Sequence, residues 1–298
     1  MLHDVRPFNP DFFPQRYIKH SFLTDKQFIR GLAHISDSLH VKPSVLFNGE
    51  NLEDVDGAVL TFDDGLKDHF WVAKMLLDIK VEAIFFIPFG VLFEKKFINS
   101  HLIQFLNACN NREEIARQIE DELRRRFDIS TSIISEYRRS RWKVNLWTES
   151  EVFITRILRE FGDAEFRKQL LYKLVEKYIT VDLDELHEQF YLSKEELSEI
   201  ARMGHVIGSH GYYSLDMRYE DSLTVNFELQ RSCEHLEIYQ QGKRLLSYPN
   251  GGYSGAIIDE CRSVGYDFGM TTLHRAMTVD DDPFMIPRLD GTKMGIFV

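Results

Sequence analysis

Two adjacent acids follow a short apolar run near residue 60, and a glycine follows them. Residues 58–62 read Ala-Val-Leu-Thr-Phe, and next come Asp63, Asp64 and Gly65, the last a residue suited to a tight turn. Adjacent side chains on extended backbone point to opposite sides, so the two carboxylates share one site only if the backbone turns there. One could then ligate a metal ion while the other faces bound water. The alternative is that an Asp only caps the next helix.

A histidine ends a second apolar run. Residues 204–209 lead directly into His210, and neutral imidazole is a common ligand of first-row metal ions. Functional groups of parallel α/β sheets collect at the carboxyl ends of strands, which is where both this histidine and the two acids fall. His210 is therefore a candidate metal ligand, and a hydrogen-bonding turn residue is the alternative.

A third strand is predicted to end in a loop rich in Pro, Gly and aromatic residues. Residues 245–253 contain Tyr248, Pro249, Asn250 and Gly251, a combination that suits a groove wall stacking on a sugar. We expect these four residues to bind substrate. The alternative is a plain strand-to-helix turn, capped by Ser254.

Two later segments supply further chemical groups. His274 is a titratable side chain after the predicted strand at 268–271, and Arg288 with Asp290 could form a charged pair after the last strand. Each segment is a weak signal when taken alone.

Composition and charge exclude several classes of protein. The chain has 298 residues, is 44% hydrophobic and carries a net charge of −11, which repels polyanions, so no nucleic-acid partner is expected. Its three cysteines lack metal-type spacing and suggest a reducing compartment. We expect no transmembrane segment, because the longest apolar run is about half of the ~20 residues that a membrane span needs. With no signal-peptide pattern at residues 1–7, the predicted location is cytoplasmic.

Periodicity predicts an α/β fold. Short apolar runs at 1–5, 58–62, 83–88, 205–209, 244–248 and 268–271 alternate with helical patterns, which is typical of βα units around a mostly parallel sheet. Thr24 with Gln27, and Ser193 with Glu196, predict two helix starts. Residues 94–190 show helical pattern with almost no strand signal. We therefore expect one domain over residues 1–298, with a helical insertion at 94–190.

Together, the motifs resemble the polysaccharide deacetylase family, also called the NodB homology family, over nearly the whole chain. Residues 61–65 (Thr-Phe-Asp-Asp-Gly) look like its first motif, residues 207–210 like the start of its second, and residues 247–252 like a variant of its third. The resemblance implies a distorted (β/α) barrel of about seven strands. It also implies hydrolysis of N-acetyl groups on amino sugars with a divalent metal, often zinc.

The resemblance implies roles by position. Asp63 would be the general base, and Asp64 and His210 metal ligands. The family's next ligand is a histidine four residues after the first, where this chain has Ser214. A catalytic zinc usually has three protein ligands, so we expect weak, exchangeable metal binding or a replacement ligand. Strand-end geometry favours His3 over Asp216 as that replacement, with a hydrogen-bonding role for His3 as the alternative.

Two other family positions also differ. Ser247 occupies the place of the third-motif arginine that normally steadies the base, and Arg288 could replace that arginine from the last strand. His274 lies near where the resemblance places a catalytic acid, although the local match is loose.

The sequence therefore predicts a metal-dependent hydrolase that removes an N-acetyl group from an amino sugar in a glycan or glycan precursor of surface-polysaccharide biosynthesis. Its partner would be that N-acetylated sugar. Two alternatives stay open: a catalytically degenerate carbohydrate-binding protein of the same fold, and a hydrolase of another C–N bond.

Overall fold

The computed structural model describes residues 1–6, 22–34, 40–46, 57–139, 147–239 and 242–291. The chain divides into two compact units. The first comprises Met1–Phe8, Ser21–Lys96 and Leu183–Val298, and the second comprises Asn9–His20 and Phe97–Asp182.

Parallel strands form the centre of the first unit. Among the described residues there are seven strands: β1 (Asp4–Arg6), β2 (Phe22–Thr24), β3 (Leu60–Phe62), β4 (Ala83–Ile87), β5 (Val206–Ser209), β6 (Leu245–Ser247) and β7 (Phe268–Met270). Strands β3 to β7 form one sheet in chain order, and β1 pairs with β2 in a second sheet. All of these pairs are parallel, which confirms the expected α/β class.

The strands lie where the sequence is continuously apolar. All five residues of β4 are buried, as expected for a parallel strand that is covered on both faces. Phe62 of β3 stacks on Phe85 of β4, with ring centroids 5.0 Å apart. Burying each such side chain contributes roughly 1.5–3 kcal/mol, and this burial fixes the strands that carry the polar loops.

Two short bridges extend the sheet at its edges. Leu2 pairs with Phe62, and Ile286 pairs with Met270, both in parallel. The backbone N–H of Gly291 donates to the carbonyl of Met1 at 2.7 Å. The first residues and the segment after Ile286 therefore meet within the first unit, and their contact links the two edges of the sheet.

Helices connect the strands. The described residues contain twelve α-helices: α1 (Asp25–His34), α2 (Asp68–Asp78), α3 (Phe89–Phe93), α4 (Asn99–Ala108), α5 (Arg112–Arg126), α6 (Thr131–Arg138), α7 (Glu149–Glu160), α8 (Ala164–Tyr178), α9 (Leu183–Phe190), α10 (Lys194–Arg202), α11 (Ser222–Leu236) and α12 (Gly255–Val264).

Both predicted capping boxes are present. The Thr24 hydroxyl accepts the N–H of Gln27 at 3.1 Å, and the Gln27 side chain accepts the N–H of Thr24 at 2.9 Å. Ser193 and Glu196 make the same reciprocal pair before α10. Each box satisfies backbone donors that the first helical turn leaves unpaired, which is why these helices start where the sequence predicts.

In the second unit, helices make up the regular structure of the described residues. Helix α7 packs against α4, α5, α6 and α8, and its residues 150–158 are all buried. A helix buried all round is a core helix, although its buried Arg156 must then find acceptors. Its guanidinium donates to the carbonyl of Glu136 at 2.6 Å. The described part of this unit, residues 97–139 and 147–182, falls within the predicted insertion at residues 94–190. The extent of a single domain over residues 1–298 stays a prediction.

Within the described residues, no helix combines the length and the apolar character needed to cross a bilayer.

We predict that Gly208→Ala destabilises the sheet. A Cβ at this position of β5 would lie 2.4 Å from the Phe86 ring on the neighbouring strand. Overpacking of this kind costs about 1–3 kcal/mol of unfolding free energy, to be measured by urea denaturation. Gly255→Ala is the matched control, because a Cβ there meets nothing within 4 Å. Equal unfolding midpoints for the two variants would contradict the close packing of β5 on β4.

Candidate active site

The backbone turns at the two adjacent acids. Asp64 has φ 81° and Gly65 has φ 63°, so the chain leaves β3 through two successive left-handed residues. Asp is one of the few residues other than Gly that adopt this conformation, at a cost of roughly 1–3 kcal/mol. The backbone N–H of Asp63 donates to the carbonyl of Leu2 at 2.9 Å, which holds the strand end in place. Because the backbone turns here, the carboxylates of Asp63 and Asp64 can both face the same site.

Asp63 and Arg288 form a buried, bidentate ion pair. The two terminal nitrogens of Arg288 each donate to one carboxylate oxygen of Asp63 at 2.8 Å. Ser247 joins them, since its hydroxyl accepts from Arg288 at 2.8 Å and donates to Asp63 at 3.1 Å. Arg288 also donates from Nε to the carbonyl of Thr271 at 3.1 Å. The structure thus places Arg288 against the side chain that the sequence analysis assigns as the base.

The charge of Asp63 is stabilised by its neighbours. Burial alone would raise the pKa of this carboxyl, but the positive charge of Arg288, followed by that of His210, holds the pKa well below its usual range. Asp63 is only 1% exposed, so a charge without these partners would be costly. Asp63 is therefore a carboxylate over the whole physiological pH range.

His210 lies between two strand ends. Its Nδ1 is 2.9 Å from the carbonyl oxygen of Ser247, and its Nε2 is 3.4 Å from Oδ1 of Asp64. A carbonyl only accepts, so Nδ1 carries a proton and Nε2 faces Asp64. Burial lowers the pKa of His210, but the hydrogen bond that His210 donates to Asp64 and the nearby negative charges of Asp63 and Asp64 outweigh it, and the net shift is upward.

The donors present do not complete a three-ligand zinc site. Asp64 and His210 supply two donors. Ser214, where the family has its next ligand, is buried with φ 59° and offers a neutral hydroxyl. The carbonyl of His3 contacts Nε2 of His69 at 2.6 Å. In the ranges that the structure describes, no group of three or more His, Cys, Asp or Glu side chains is arranged to hold a metal ion.

His274 lies on an exposed loop. Its Nδ1 accepts the backbone N–H of Asp290 at 3.1 Å, so the neutral ring carries its proton on Nε2. The preceding residue, Leu273, accepts the backbone N–H of Arg288 at 3.0 Å. The loop of His274 is thereby tied to the segment that carries Arg288.

The loop after β6 differs in detail from its expected role. Tyr248 is fully buried and packs against Tyr253, with ring centroids 5.6 Å apart, so its ring offers no surface to a sugar in this structure. Pro249 is buried as well, whereas Asn250 is exposed with φ 54°. A Cβ on Gly251 would lie 2.1 Å from Oγ1 of Thr272, so glycine is required there.

Sequence reasoning missed two residues of the site region. Ser247 was noted only for the arginine that it replaces, yet its hydroxyl bridges Asp63 and Arg288. The buried carboxylate of Glu228 accepts backbone N–H groups in the loop after His210. The available signal was a charged residue among the buried positions of α11, next to Leu229.

Part of the chain is similar to a known protein family. Residues 170–269 match the family model described as Polysaccharide deacetylase, a stretch that includes His210 and Ser247. Comparison with curated protein sequences found no match.

Three solved structures share the fold. A Streptococcus pyogenes deacetylase, PplD, in complex with acetate, is 12% identical with a TM-score of 0.57, over 96% of this chain and 88% of that one. A de-N-acetylase from Aggregatibacter actinomycetemcomitans is 13% identical with a TM-score of 0.54, over 97% and 92%. IcaB from Ammonifex degensii is 14% identical with a TM-score of 0.52, over 97% and 91%.

These similarities define the class of the protein as an α/β fold of the distorted (β/α) barrel, or NodB-like, type, as the sequence predicts. The family model confirms the resemblance to polysaccharide deacetylases over residues 170–269.

We predict that Arg288→Lys lowers the unfolding free energy by about 2 kcal/mol. An ammonium group cannot reproduce the two parallel hydrogen bonds of the guanidinium, and bonds to charged groups contribute about 1.5–3 kcal/mol each. Urea denaturation at pH 7 measures the loss. Arg275→Lys is the control, because Arg275 pairs with Asp281 on an exposed loop and should leave the midpoint almost unchanged. Equal effects of the two substitutions would contradict a special role for the buried pair.

The pair should also govern acid stability. A carboxyl whose folded-state pKa is depressed stabilises the fold above its ordinary pKa of 3.8, and this contribution disappears as the pH falls through the folded-state value. Wild-type protein should therefore lose stability more steeply below pH 4 than Arg288→Lys, in which the depression is smaller. Parallel curves of unfolding free energy against pH would show that Arg288 does not set the pKa of Asp63.

Proposed function

We propose that the protein is a hydrolase that removes the N-acetyl group from an amino sugar in a glycan or glycan precursor. The observation that carries this proposal is the cluster at the strand ends, where the Asp63–Arg288–Ser247 network lies beside the Asp64–His210 pair. Carboxylate and imidazole groups can accept and donate the protons that are transferred in amide hydrolysis. The similar solved structures are themselves described as deacetylases, which supports the same reaction class. A role in surface-polysaccharide assembly and a cytoplasmic location stay predictions from the sequence.

Asp63 handles the proton of the attacking water. The carboxylate is fixed by Arg288, so it can orient a water molecule by accepting a hydrogen bond and take its proton as the new C–O bond forms. The depressed pKa makes Asp63 a weak base toward free water. A divalent ion held by Asp64 and His210 would lower the pKa of that water and so make its proton easier for Asp63 to accept.

His274 is suited to protonate the leaving nitrogen. The acid form is the imidazolium, which carries protons on both nitrogens, so its Nδ1 must release the N–H of Asp290 that the neutral ring accepts. When the C–N bond breaks, the imidazolium passes its Nε2 proton to the amine and returns to the neutral ring, so acetate and a free amino sugar leave. The exposed Asn250 and the half-buried Tyr253 are the groups of the β6 loop that could face the sugar.

The predicted metal would have two donors in this chain, Asp64 and His210. We propose that zinc binds weakly and exchangeably, with His3 as the candidate replacement ligand. Because the donor set is incomplete, a second function stays open: the protein could bind N-acetylated glycans without hydrolysing them. Acetate release from N-acetylglucosamine oligosaccharides, assayed with added zinc or cobalt, separates the two. Binding without release would favour the carbohydrate-binding function.

Asp63→Asn should reduce acetate release by about 10²-fold or more, since a general base contributes 10²–10⁴-fold. Ser247→Ala is the matched control. It removes one hydrogen bond to the same carboxylate at a cost of about 1 kcal/mol while Arg288 stays in place, so most activity should remain. If both folded variants lost acetate release to a similar extent, activity would depend on the intact hydrogen-bond network of Asp63, Arg288 and Ser247 and not on Asp63 as a base.

Ser214→His should tighten zinc binding about tenfold or more, a gain of about 1.4 kcal/mol. Histidine is among the residues that tolerate the left-handed conformation of position 214. Calorimetric titration compares this variant with Ser222→His, which adds an imidazole at an exposed position. His3→Ala weakens binding only if His3 is a ligand. Equal affinities of Ser214→His and Ser222→His would show that residue 214 does not approach the metal.

A further inference from the structure

The loop that follows His210 has an unusual backbone. Gly211 and Ser214 both have positive φ values, 70° and 59°, so the chain turns twice within four residues. The N–H of His210 itself makes a sheet-like hydrogen bond to the carbonyl of Ile87 at 2.9 Å. Beyond that bond the peptide groups leave the sheet, and their buried N–H groups need other acceptors.

One side chain supplies these acceptors. Oε2 of Glu228 accepts the N–H of Tyr212 at 2.9 Å, and both carboxylate oxygens accept the N–H of Tyr213 at 3.0 Å. The backbone of Leu215 is a further hydrogen-bond partner. Glu228 thus contacts the main chain of Tyr212, Tyr213 and Leu215, three of the five residues in the loop at 211–215.

The contact is tight on the loop side. A Cβ on Gly211 would lie 2.8 Å from Oε2 of Glu228, so the residue next to His210 must lack one for this approach. On the other side, Glu228 belongs to α11, which packs on β5, and the hydroxyl of Ser232 donates to its carbonyl at 2.7 Å. Helix α11 therefore holds the carboxylate at a fixed place against the loop.

The buried position of the Glu228 carboxyl group is energetically unfavourable. Glu228 is fully buried, and the partners of its carboxylate in the described part of the chain are backbone N–H groups. Burial raises the pKa of Glu228 to about 7, although the backbone N–H groups act in the opposite direction. A buried carboxylate is costly unless hydrogen bonds replace its lost hydration, and here the backbone N–H groups of the loop supply those bonds.

We propose that Glu228 is a positioning residue of the candidate active site: its carboxylate fixes the loop at residues 211–215 and so holds the imidazole of His210 against Asp64. The proposal rests on the function proposed above insofar as the orientation of His210 affects turnover. The hydrogen bond to Ile87 fixes the backbone at His210 itself, and Glu228 fixes the backbone of the residues that follow it. A displacement of about 1 Å in such a group can cost 10²-fold in rate.

The test is Glu228→Gln, with Glu234→Gln as the matched control. Both substitutions lie on α11 and remove one negative charge, but Glu234 pairs with Arg231 at the surface. Gln keeps the size of Glu228 but removes its charge and one of its two acceptor oxygens, so the N–H groups of Tyr212 and Tyr213 lose their charged acceptor and share one neutral oxygen. Spectra are recorded at pH 8 on protein labelled with ¹⁵N at its 12 tyrosines and 11 histidines.

In Glu228→Gln we expect the amide signals of Tyr212 and Tyr213 to move upfield, the ring signals of His210 to shift, and kcat for acetate release to fall at least tenfold with KM within about twofold. Glu234→Gln should change none of these. Unmoved amide signals would overturn the proposal, because the carboxylate would not hold the loop. Moved amide signals with an unchanged His210 ring and unchanged kcat would also overturn it, since the loop would not position the imidazole.

If Glu228→Gln fails to fold, Gly211→Ala tests the contact from the loop side and should shift the same tyrosine and histidine signals. A folded Gly211→Ala with an unchanged His210 ring would overturn the proposal. If wild-type protein releases no acetate, the proposed function fails, but the spectra still decide whether Glu228 positions His210.

Discussion

The buried ion pair of Asp63 with Arg288 joins the two edges of the sheet, and the candidate site is arranged around it. Asp63 follows β3, whereas Arg288 follows the bridge from Ile286 to β7. The two side chains meet because the segment after Ile286 runs beside the first residues of the chain. A bidentate pair tolerates little variation in distance or angle, so it constrains how the ring of strands closes.

The same pair sets the chemistry that the site can perform. With Arg288 present, Asp63 stays charged and has a low affinity for protons. The neighbouring Asp64 and His210 then supply the other polar groups, and within the described residues no group of three or more His, Cys, Asp or Glu side chains is arranged to hold a metal ion. The site therefore combines a well-positioned carboxylate with a sparse donor set. The sparse donor set would favour the weak, exchangeable metal binding that we propose for a deacetylase function.

The parts of the structure that follow from local rules could be predicted from the sequence. The capping boxes at Thr24 and Ser193, and the buried strands such as β4, depend on residues close together in the chain. The place of Arg288 could also be anticipated, because a family motif lacks its arginine and one strand end offered a substitute. Strand-end positions indicated which side chains meet, since parallel strands end at one edge.

Other features depend on packing that no local pattern encodes. Tyr248 follows a strand like any groove residue, yet its ring turns into the core beside Tyr253. Glu228 is a charged residue on a helix, and only the folded loop shows that its carboxylate serves three backbone groups. The left-handed turn at Asp64 likewise requires knowledge of the tertiary structure, because Asp adopts that conformation only where its surroundings enforce it.

The most direct test of the central claim is a double-mutant cycle on the unfolding free energy of wild-type protein, Asp63→Asn, Arg288→Met and the double variant at pH 7. Each single substitution leaves a buried group without its partner and should cost about 3–5 kcal/mol. The double variant should cost much less than the sum, with a coupling energy of at least about 2 kcal/mol. Additivity within about 0.5 kcal/mol would contradict the claim, because it would mean that the two side chains do not depend on each other.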